Sequence, residues 1–469
     1  MTTNGTPGVW ARQHQSQRQE LMTGFDASSG FRPRRDLFLL YATVLFGLSV
    51  RGGATTSIAV LIAGLLLAGA LFIREPETDE PGWVGLSWET RLMIAVIVFG
   101  LLGVAGWSPA SIGPTSPHLE RLPGLIWVVA SIVVFMAGRN TGRVFHAGVV
   151  VITLGASLLV GLSHLSAAQG VGFDVYFLHV GAAEAIADGL NPYTDAVEVP
   201  NGAPTAEEGD LITGYVYPPV TAVAYSLGYW VFSDPRFTSL LAWTAFLGLI
   251  GMRAVRSRSP SGLLLMLLMA SIPGWPLVLR AAWTEPLSLV FIAAAFTLWT
   301  RPMTSGVFLG MALASKQYFA VTAPLLLFHR DNGWSRRAMI AGTVIAATIG
   351  AAVVWDAGSF WSAAVEFHTS TPPRPDSVNL VGLAALLDLT WDPPTILALA
   401  AGVLVALVAG RKSRKRKVFM LALGMSLAAS FLVSSQAFAN YWFLIAGVCG
   451  LALWDVTLHP EPNQANLGS

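Results

Sequence analysis

The stretch that organises this sequence is residues 172–193, GFDVYFLHVGAAEAIADGLNPY, together with residues 215–219, YVYPP. An acidic polar segment joins the two, and apolar runs at Val144–Leu162 and Val216–Phe232 flank them. Each run approaches the ~20 residues that a helix needs to cross a lipid bilayer. The sequence therefore predicts a water-facing loop between two membrane spans, and we expect the acid–base chemistry of the chain to lie in it.

The composition indicates a polytopic membrane protein. Of the 469 residues, 54% are hydrophobic and 12% are charged, whereas soluble domains carry about 25% charged residues. Recurring apolar runs predict an all-α fold of about 12–14 transmembrane helices, with outer-face loops that carry short amphipathic helices. The net charge of +1 provides no overall field that would attract nucleic acid. The single cysteine, Cys449, excludes a disulfide within the chain.

The charge distribution divides the chain into four parts. Residues 1–35 are predicted to be a disordered cytoplasmic tail and residues 36–143 additional N-terminal transmembrane helices. Residues 144–458 form the predicted transmembrane core, with outer loops at 164–215 and 356–394, and residues 459–469 form a C-terminal tail. Basic residues favour the cytoplasmic side, and Arg411–Lys417 is the strongest such mark. We therefore expect a multi-pass plasma-membrane protein with both polar loops on the outer face.

One basic cluster conflicts with a simple alternation of spans. Arg253, Arg256 and Arg258 favour the cytoplasm, but counting crossings from the first outer loop places them outside. Either one segment between Val216 and Met252 does not cross the membrane, or these arginines break the rule.

Asp174 is the strongest candidate for chemistry. Apolar residues recur at helical spacing from Val175 to Ile186, and Gly189 follows as a stop, which predicts a helix on the membrane surface. Aspartate is also a favoured N-cap. Asp174 therefore either caps this helix or acts in catalysis, and the two roles are compatible.

Three other charged residues stand out. Lys316 lies far from either end of the apolar run Gly306–Phe328, where a charge is costly and normally faces a cavity or a partner. The alternative is that its long side chain snorkels to the interface. Glu285 precedes Pro286 at a predicted helix start, where an acid suits the helix dipole. Arg374, in the second polar loop, is a further cation that could hold a phosphate, although a loop arginine is more often solvated.

The combined motifs resemble the GT-C membrane glycosyltransferases, in particular the bacterial polyprenol-phosphate-mannose-dependent α-mannosyltransferases. The similarity lies in a loop aspartate (Asp174), a Gly-x-Asn-Pro-Tyr turn at 189–193, a Tyr-x-Tyr-Pro-Pro span start at 215–219, and a later lysine (Lys316). It covers roughly residues 144–454. Two features differ from the usual pattern: additional spans precede the core, and Thr284-Glu285 stands where members often carry Gly-Gln.

The resemblance implies an inverting transfer of a sugar, with mannose as the first candidate, from a polyprenyl-phosphate donor to a lipid-linked or cell-envelope glycan on the outer face. Asp174 would take the proton from the acceptor hydroxyl, and Lys316 and Arg374 would bind the donor phosphate. The residues expected to bind substrate are Tyr176, His179, Asn191, Tyr193, Tyr217 and Glu285. No cofactor, metal or nucleic acid is expected, and the partners are the donor, the acceptor and membrane lipids.

The chain shows no Walker loop, no Ser-His-Asp pattern and no metal-ligand spacing.

Two alternatives remain open. An arabinofuranosyltransferase or a glycan polymerase would use a different lipid-linked donor, which a donor screen would identify. A secondary transporter would move a solute instead, and such proteins often have paired halves with interrupted helices.

Overall fold

The computed structural model describes residues 33–49, 57–72, 87–104, 117–138, 141–167, 173–194, 196–198, 211–370 and 372–458. Within these ranges the chain is helical apart from one short antiparallel ribbon and the connecting turns. The two predicted tails lie outside the described residues, except for residues 33–35, which belong to the first helix. Most of the acidic segment of the first polar loop lies outside them as well.

The helices follow the predicted division of the chain. The region predicted to hold additional N-terminal spans contains α1 (Pro33–Ser49), α2 (Ser57–Phe72), α3 (Trp88–Val104) and α4 (Pro117–Ala137). The core begins with α5 (Arg143–Ala167), α6 (Asp174–Ala187), β1 (Ala196–Glu198) and β2 (Leu211–Thr213). It continues with α7 (Pro219–Phe232), α8 (Arg236–Ser257), α9 (Pro260–Ala270), α10 (Trp275–Arg280), α11 (Glu285–Thr297) and α12 (Pro302–Leu313). A 3-10 helix (Gln317–Thr322), α13 (Ala323–Phe328), α14 (Trp334–Trp361), α15 (Phe367–Ser370), α16 (Leu380–Leu386), α17 (Thr395–Lys412), α18 (Arg416–Leu432) and α19 (Ala439–Leu458) complete it.

Three of the described helices are long and apolar enough to cross a membrane by length and composition. They are Arg143–Ser166, Arg236–Ser257 and the continuous helical region Trp334–Ser370. Shorter apolar helices of 10–17 residues accompany them. The prediction of a helical chain with membrane-spanning character is confirmed, and the number of spans stays a prediction.

The last helix, α19, is the centre of the bundle. Every residue from Trp442 to Trp454 is buried, and α19 contacts α1, α8, α9, α11 and α18. Trp243 of α8 stacks on Trp275 with ring centroids 5.0 Å apart and lies 4.9 Å from Phe443 of α19. A helix that is apolar on every side is buried on every side, and its neighbours are arranged around it.

Two segments that the sequence analysis treated as single spans are interrupted. The run Gly306–Phe328 divides into α12, a non-helical break, the 3-10 helix and α13, and Leu263–Leu279 divides between α9 and α10. Lys316 lies at the first break, in an extended conformation with φ −147° and ψ 139°. Its charge is therefore placed at an interruption of the helix and not within a continuous one.

The helix α7 lies along α6 and does not run the length of the bundle. It has 14 residues, and at its far end Tyr229 O–H donates to Glu184 and Trp230 Nε1–H donates to the Ala183 carbonyl of α6. The next helix, α8, starts at the same level, because the Arg236 guanidinium lies 5.0 Å from the centre of the Tyr176 ring. Both ends of α7 are therefore next to the first polar loop.

The course of α7 determines at which end of the bundle the arginines of α8 lie. The helix α8 packs antiparallel to α5, since Leu240 lies beside Gly161 whereas Gly251 lies beside Val150. It therefore carries Arg253, Arg256 and Arg258 to the end of the bundle where α5 begins, which is opposite α6. This geometry agrees with the first explanation, in which one segment does not cross, and the set of helices that cross a membrane stays a prediction.

These contacts predict the accessibility of two loops in intact cells. After replacement of the buried Cys449, single cysteines at the exposed positions Asp188 and Ser370 should react with a membrane-impermeant thiol reagent. A cysteine at Ser257, at the arginine end of α8, should react only after permeabilisation. Labelling of Ser257→Cys without permeabilisation, or protection of the other two, would reverse the orientation.

Candidate functional site

Asp174 is the first residue of α6 and does not cap it. The N-cap is Phe173, whose backbone is extended at φ −82° and ψ 160°, and the Asp174 carboxylate accepts the N–H of Val175 at 2.8 Å. The predicted capping role is therefore wrong by one position, because the buried Phe173 ring packs beside Trp283, with centroids 6.2 Å apart, and sets where the helix begins. Asp174 is half-buried in the first turn, where the helix dipole favours a negative charge.

His179 holds the backbone that leads into α11. It is fully buried, its Nδ1 accepts the Tyr215 hydroxyl at 2.9 Å, and its Nε2–H donates to the Ala282 carbonyl at 3.2 Å. Burial lowers the pKa of His179 to about 3, and the charge of Lys316 also lowers it, so the ring is neutral at physiological pH. Ala282 has φ 56°, which is unfavourable for a residue with a Cβ. The structure thus gives His179 a positioning role, and its predicted contact with substrate stays a prediction.

Asn191 and Tyr193 shape the turn between α6 and the ribbon. The Asn191 carboxamide oxygen accepts the N–H of Tyr193 at 3.1 Å, as in an Asx turn. The buried Tyr193 hydroxyl donates to the Tyr217 carbonyl at 3.0 Å. Gly214 has φ +80°, and a Cβ there would meet the Tyr193 carbonyl oxygen. These contacts make the predicted substrate-binding residues Asn191 and Tyr193 part of the scaffold that holds Tyr217.

Tyr176 faces the turn between α7 and α8. Its ring lies under the Arg236 guanidinium, which pairs with Asp234 at 2.7 Å. Tyr176 is half-buried by this contact and is not among the residues that line the cavity beside Lys316. Its predicted role in binding substrate has no support from this arrangement.

Lys316 and Glu285 form one buried ion pair. Their side chains are 3% and 0% exposed, and Lys316 Nζ donates to Glu285 Oε1 at 2.9 Å. Oε1 also accepts Asn440 Nδ2–H at 2.8 Å and the Tyr318 hydroxyl at 3.3 Å, while Oε2 has no hydrogen-bond partner among the described residues. The alternative that Lys316 snorkels to the interface is therefore wrong.

Aromatic rings surround the ammonium of Lys316. Nζ lies 4.6 Å from the centre of the Tyr217 ring, 5.4 Å from that of Tyr318 and 5.9 Å from that of Tyr441. The negative face of an aromatic ring attracts a cation, most strongly where water is excluded. One carboxylate and three rings together stabilise the charge that the break in the helix brings inside.

A cavity of about 620 Å³ lies beside Lys316. Its walls come from α12, the 3-10 helix, α13, α14 and its continuation to Ser370, α17, α18 and α19. The lining is mostly apolar, and its polar side chains include Lys316, Gln317, His368 and Tyr441. Cavities of this size and character bind small molecules in many proteins. In the described part of the chain, no three His, Cys, Asp or Glu side chains are grouped to hold a metal ion.

The two polar loops meet above this cavity. His368 Nε2–H donates to the Val216 carbonyl at 3.0 Å, and the ring of Phe360 lies 5.0 Å from that of Tyr193. A kink at Asp356, whose carboxylate accepts the N–H and O–H of Ser359, starts this second helical segment. Phe360 and His368 also line the cavity, so the second loop forms one of its walls.

Tyr217 brings Asp174 and the ion pair into one electrostatic environment. Burial raises the pKa of Tyr217 well above its ordinary value, and the charges of Asp174 and Glu285 raise it further. Lys316 lies over the same ring. Three of the predicted site residues, Asp174, Glu285 and Lys316, therefore act on one phenol.

Arg374 is separate from this group. Its guanidinium pairs with Asp376 at 2.8 Å and lies 4.8 Å from the centre of the Phe438 ring. The side chain is 27% exposed and does not line the cavity. The structure thus does not bring Arg374 to Lys316, and its predicted role at the phosphate stays a prediction without geometric support.

Three neutral residues that surround the Lys316–Glu285 pair were not predicted to be at the site: Tyr318, Asn440 and Tyr441. Asn440 is a polar residue at the start of an apolar run, which could have identified it, because a buried amide needs partners. Tyr318 and Tyr441 carry no such mark in the sequence. Tyr318 reaches Glu285 only because the chain becomes a 3-10 helix after Lys316.

The buried pair predicts a specific pattern of stability. Lys316→Met and Glu285→Gln should each destabilise the protein by about 3–5 kcal/mol, because one charge is left buried without its partner. The double variant should lose less than the sum of the two. Arg374→Met, which breaks the more exposed pair, should cost about 1 kcal/mol or less. Unfolding of the purified protein in detergent measures these differences, and additive losses in the double variant would contradict the pairing.

The arrangement is therefore an apolar cavity with a lysine in its wall, and a half-buried aspartate whose charge acts on Tyr217, the ring beside that lysine. Such a site suits a molecule with an apolar part and a polar head, and the aspartate suits proton transfer. No family model, curated protein or solved structure matches this chain.

Proposed function

We propose that this protein is a membrane glycosyltransferase of GT-C type, with about 12–14 transmembrane helices, that uses a polyprenyl-phosphate sugar as donor. The acceptor is a hydroxyl of a lipid-linked or cell-envelope glycan, and mannose is the first candidate for the sugar. The observation that carries the proposal is the apolar cavity beside Lys316, whose neighbour Tyr217 also responds to the charge of Asp174. The motifs at Asp174, 189–193 and 215–219 add the resemblance described above.

The cavity suits the lipid part of the donor. Its lining is mostly apolar, and the helices that form it carry exposed hydrophobic side chains, such as Val354 and Ile396, on their outer surfaces. An isoprenoid chain would enter such a cavity from the membrane with little change of environment. The phosphate at its end would then meet Lys316, the cation in the wall, whose ammonium can stabilise negative charge that develops on the leaving oxygen.

Asp174 suits the acceptor side of the reaction. Its carboxylate would accept the proton of the acceptor hydroxyl while that oxygen forms a bond to the anomeric carbon of the sugar. The bond from this carbon to the phosphate oxygen breaks at the same time, and polyprenyl phosphate leaves with the electron pair. Attack from the face opposite the phosphate inverts the anomeric configuration. The helix start holds Asp174 in place for this step.

The distribution of charge supports the proposed location. The residues Arg253–Arg258 and Arg143 are at the end of the bundle opposite Asp174, as basic residues on the cytoplasmic side would be. The site would then be on the outer face of the plasma membrane. Lipid-linked sugars and envelope glycans are both accessible there.

A secondary transporter is the second candidate, and the interrupted helices favour it. The chain breaks between α12 and the 3-10 helix and again between α10 and α11, and Lys316 and Glu285 meet at these breaks. Transporters bind solutes and ions at such breaks. A transporter would move a solute into proteoliposomes and would leave lipid-linked sugars unchanged.

Asp174→Asn tests the enzymatic proposal. The amide keeps the size of the side chain but cannot accept a proton, so transfer should fall by about 10²–10⁴-fold. Purified protein is assayed with a panel of lipid-linked donors that includes mannose and arabinofuranose. The unfolding temperature and the donor affinity should stay close to those of the wild type.

Asp188→Asn is the matched control, because Asp188 is an exposed residue at the other end of the same helix. It should leave transfer unchanged. Near-wild-type transfer by a well-folded Asp174→Asn protein would refute the catalytic role of Asp174. Solute uptake without any sugar transfer by the wild type would favour the transporter.

A further inference from the structure

Lys316 already has an ionic partner that an incoming phosphate would have to replace. Its Nζ is 2.9 Å from Glu285 Oε1, and both side chains are buried. An ammonium has three N–H donors in a compact head, and phosphate and carboxylate oxygens accept from it in the same way. Because the phosphate and the Glu285 carboxylate are both anions and repel each other, they compete for the charge of this one ammonium.

Glu285 keeps other partners when Lys316 turns away. Its Oε1 also accepts from Asn440 Nδ2–H at 2.8 Å and from the Tyr318 hydroxyl at 3.3 Å, and both donors are neutral. Glu285 is also the first residue of α11, where the helix dipole favours a negative charge. A buried carboxylate requires such donors when it has no cation. These donors therefore compensate part of the charge of Glu285 when its lysine turns away, and the rest of the cost falls to the phosphate that takes Lys316.

Lys316 can turn toward the cavity without leaving its aromatic surroundings. The rings of Tyr217, Tyr318 and Tyr441 lie 4.6–5.9 Å from Nζ, and an aromatic face attracts a cation without fixing its direction. Lys316, Tyr318 and Tyr441 also line the cavity. Rotation of the flexible side chain would move the ammonium from Glu285 to a ligand along this aromatic surface.

We propose that Lys316 is exchanged between Glu285 and the phosphate of a bound lipid, so that Glu285 is an internal competitor that limits the affinity of the site for anions. The ligand class is a phosphate ester of a long apolar chain. The inference rests on the proposed function and adds a step to it. The released polyprenyl phosphate carries more negative charge than the donor diester, and Glu285 supplies the partner to which Lys316 returns when that product leaves.

Glu285→Gln tests the exchange directly. Geranylgeranyl phosphate is the probe, with geranylgeraniol and inorganic phosphate as separate arms for the chain and the anion. Removal of the competing charge should tighten binding of the probe on the order of 10- to 100-fold, and the probe should raise the unfolding temperature of Glu285→Gln more than that of the wild type. Geranylgeraniol should bind both proteins equally. An affinity for the probe equal to or below that of the wild type overturns the proposal.

Asn440→Leu should act in the opposite direction and keeps the test available if Glu285→Gln does not fold. It removes a neutral donor from Glu285, which then depends more on Lys316, so the affinity for the probe should fall several-fold. Unchanged or tighter binding would contradict the exchange. Thr343→Val is the matched control, because Thr343 is an exposed residue of α14 that does not line the cavity, and it should leave the affinity unchanged.

Further outcomes of these experiments distinguish the exchange of Lys316 from the proposed glycosyl transfer on which it rests. Probe binding that responds to both variants, in a wild-type protein that transfers no sugar, would refute glycosyl transfer and leave the exchange standing. Sugar transfer with unaltered probe affinity in the variants would refute the exchange alone. If inorganic phosphate by itself reproduces the difference between the proteins, the ligand is a free anion, and the assignment to a lipid is wrong.

Discussion

The buried ion pair between Lys316 and Glu285 is the interaction on which the rest of the site depends. A charge taken out of water costs several kcal/mol unless good geometry and further hydrogen bonds compensate it. Here the compensation comes from three separate parts of the chain, namely α11, the 3-10 helix with the residues before it, and the start of α19. The pair therefore fixes these three elements relative to one another, and two of them, the 3-10 helix and the start of α19, also line the cavity.

His179 connects α6 to the backbone that leads into Glu285. His179 of α6 donates to Ala282, three residues before Glu285, and stacks on Tyr225 of α7 with centroids 3.8 Å apart. Because both ring nitrogens are bonded inside the protein, the position of α6, and with it of Asp174, is coupled to the start of α11. Tyr193 makes the equivalent connection to Tyr217. Residues that the sequence motif marks as functional thus act here by placing others.

Composition and residue spacing predicted the local features of this structure, namely its helices and the buried charge of Lys316. Apolar runs gave most of the helices, and the spacing from Val175 to Ile186 predicted α6, since burial of one face is a local property. Lys316 was recognised because a charge in an apolar run is exceptional. The pairing of Lys316 with Glu285 was not predicted, because the two residues are distant in sequence and the pair depends on two helix breaks that no periodicity reports. The separation of Arg374 likewise follows from the local pairing with Asp376.

The course of α7 shows how one tertiary contact changes the interpretation of a whole charge pattern. A run such as Val216–Phe232 is apolar enough for a span, but hydropathy measures transfer from water and does not distinguish a lipid environment from a protein one. Tyr229 and Trp230 bond to α6, so one side of this helix lies against protein, whereas Val223, Leu227 and Val231 are exposed on another side. The arginines of α8 then join the basic end without breaking the rule. Asp174 and Lys316 both act on Tyr217 and so lie toward a common end of the bundle, as the proposed two-substrate reaction would require.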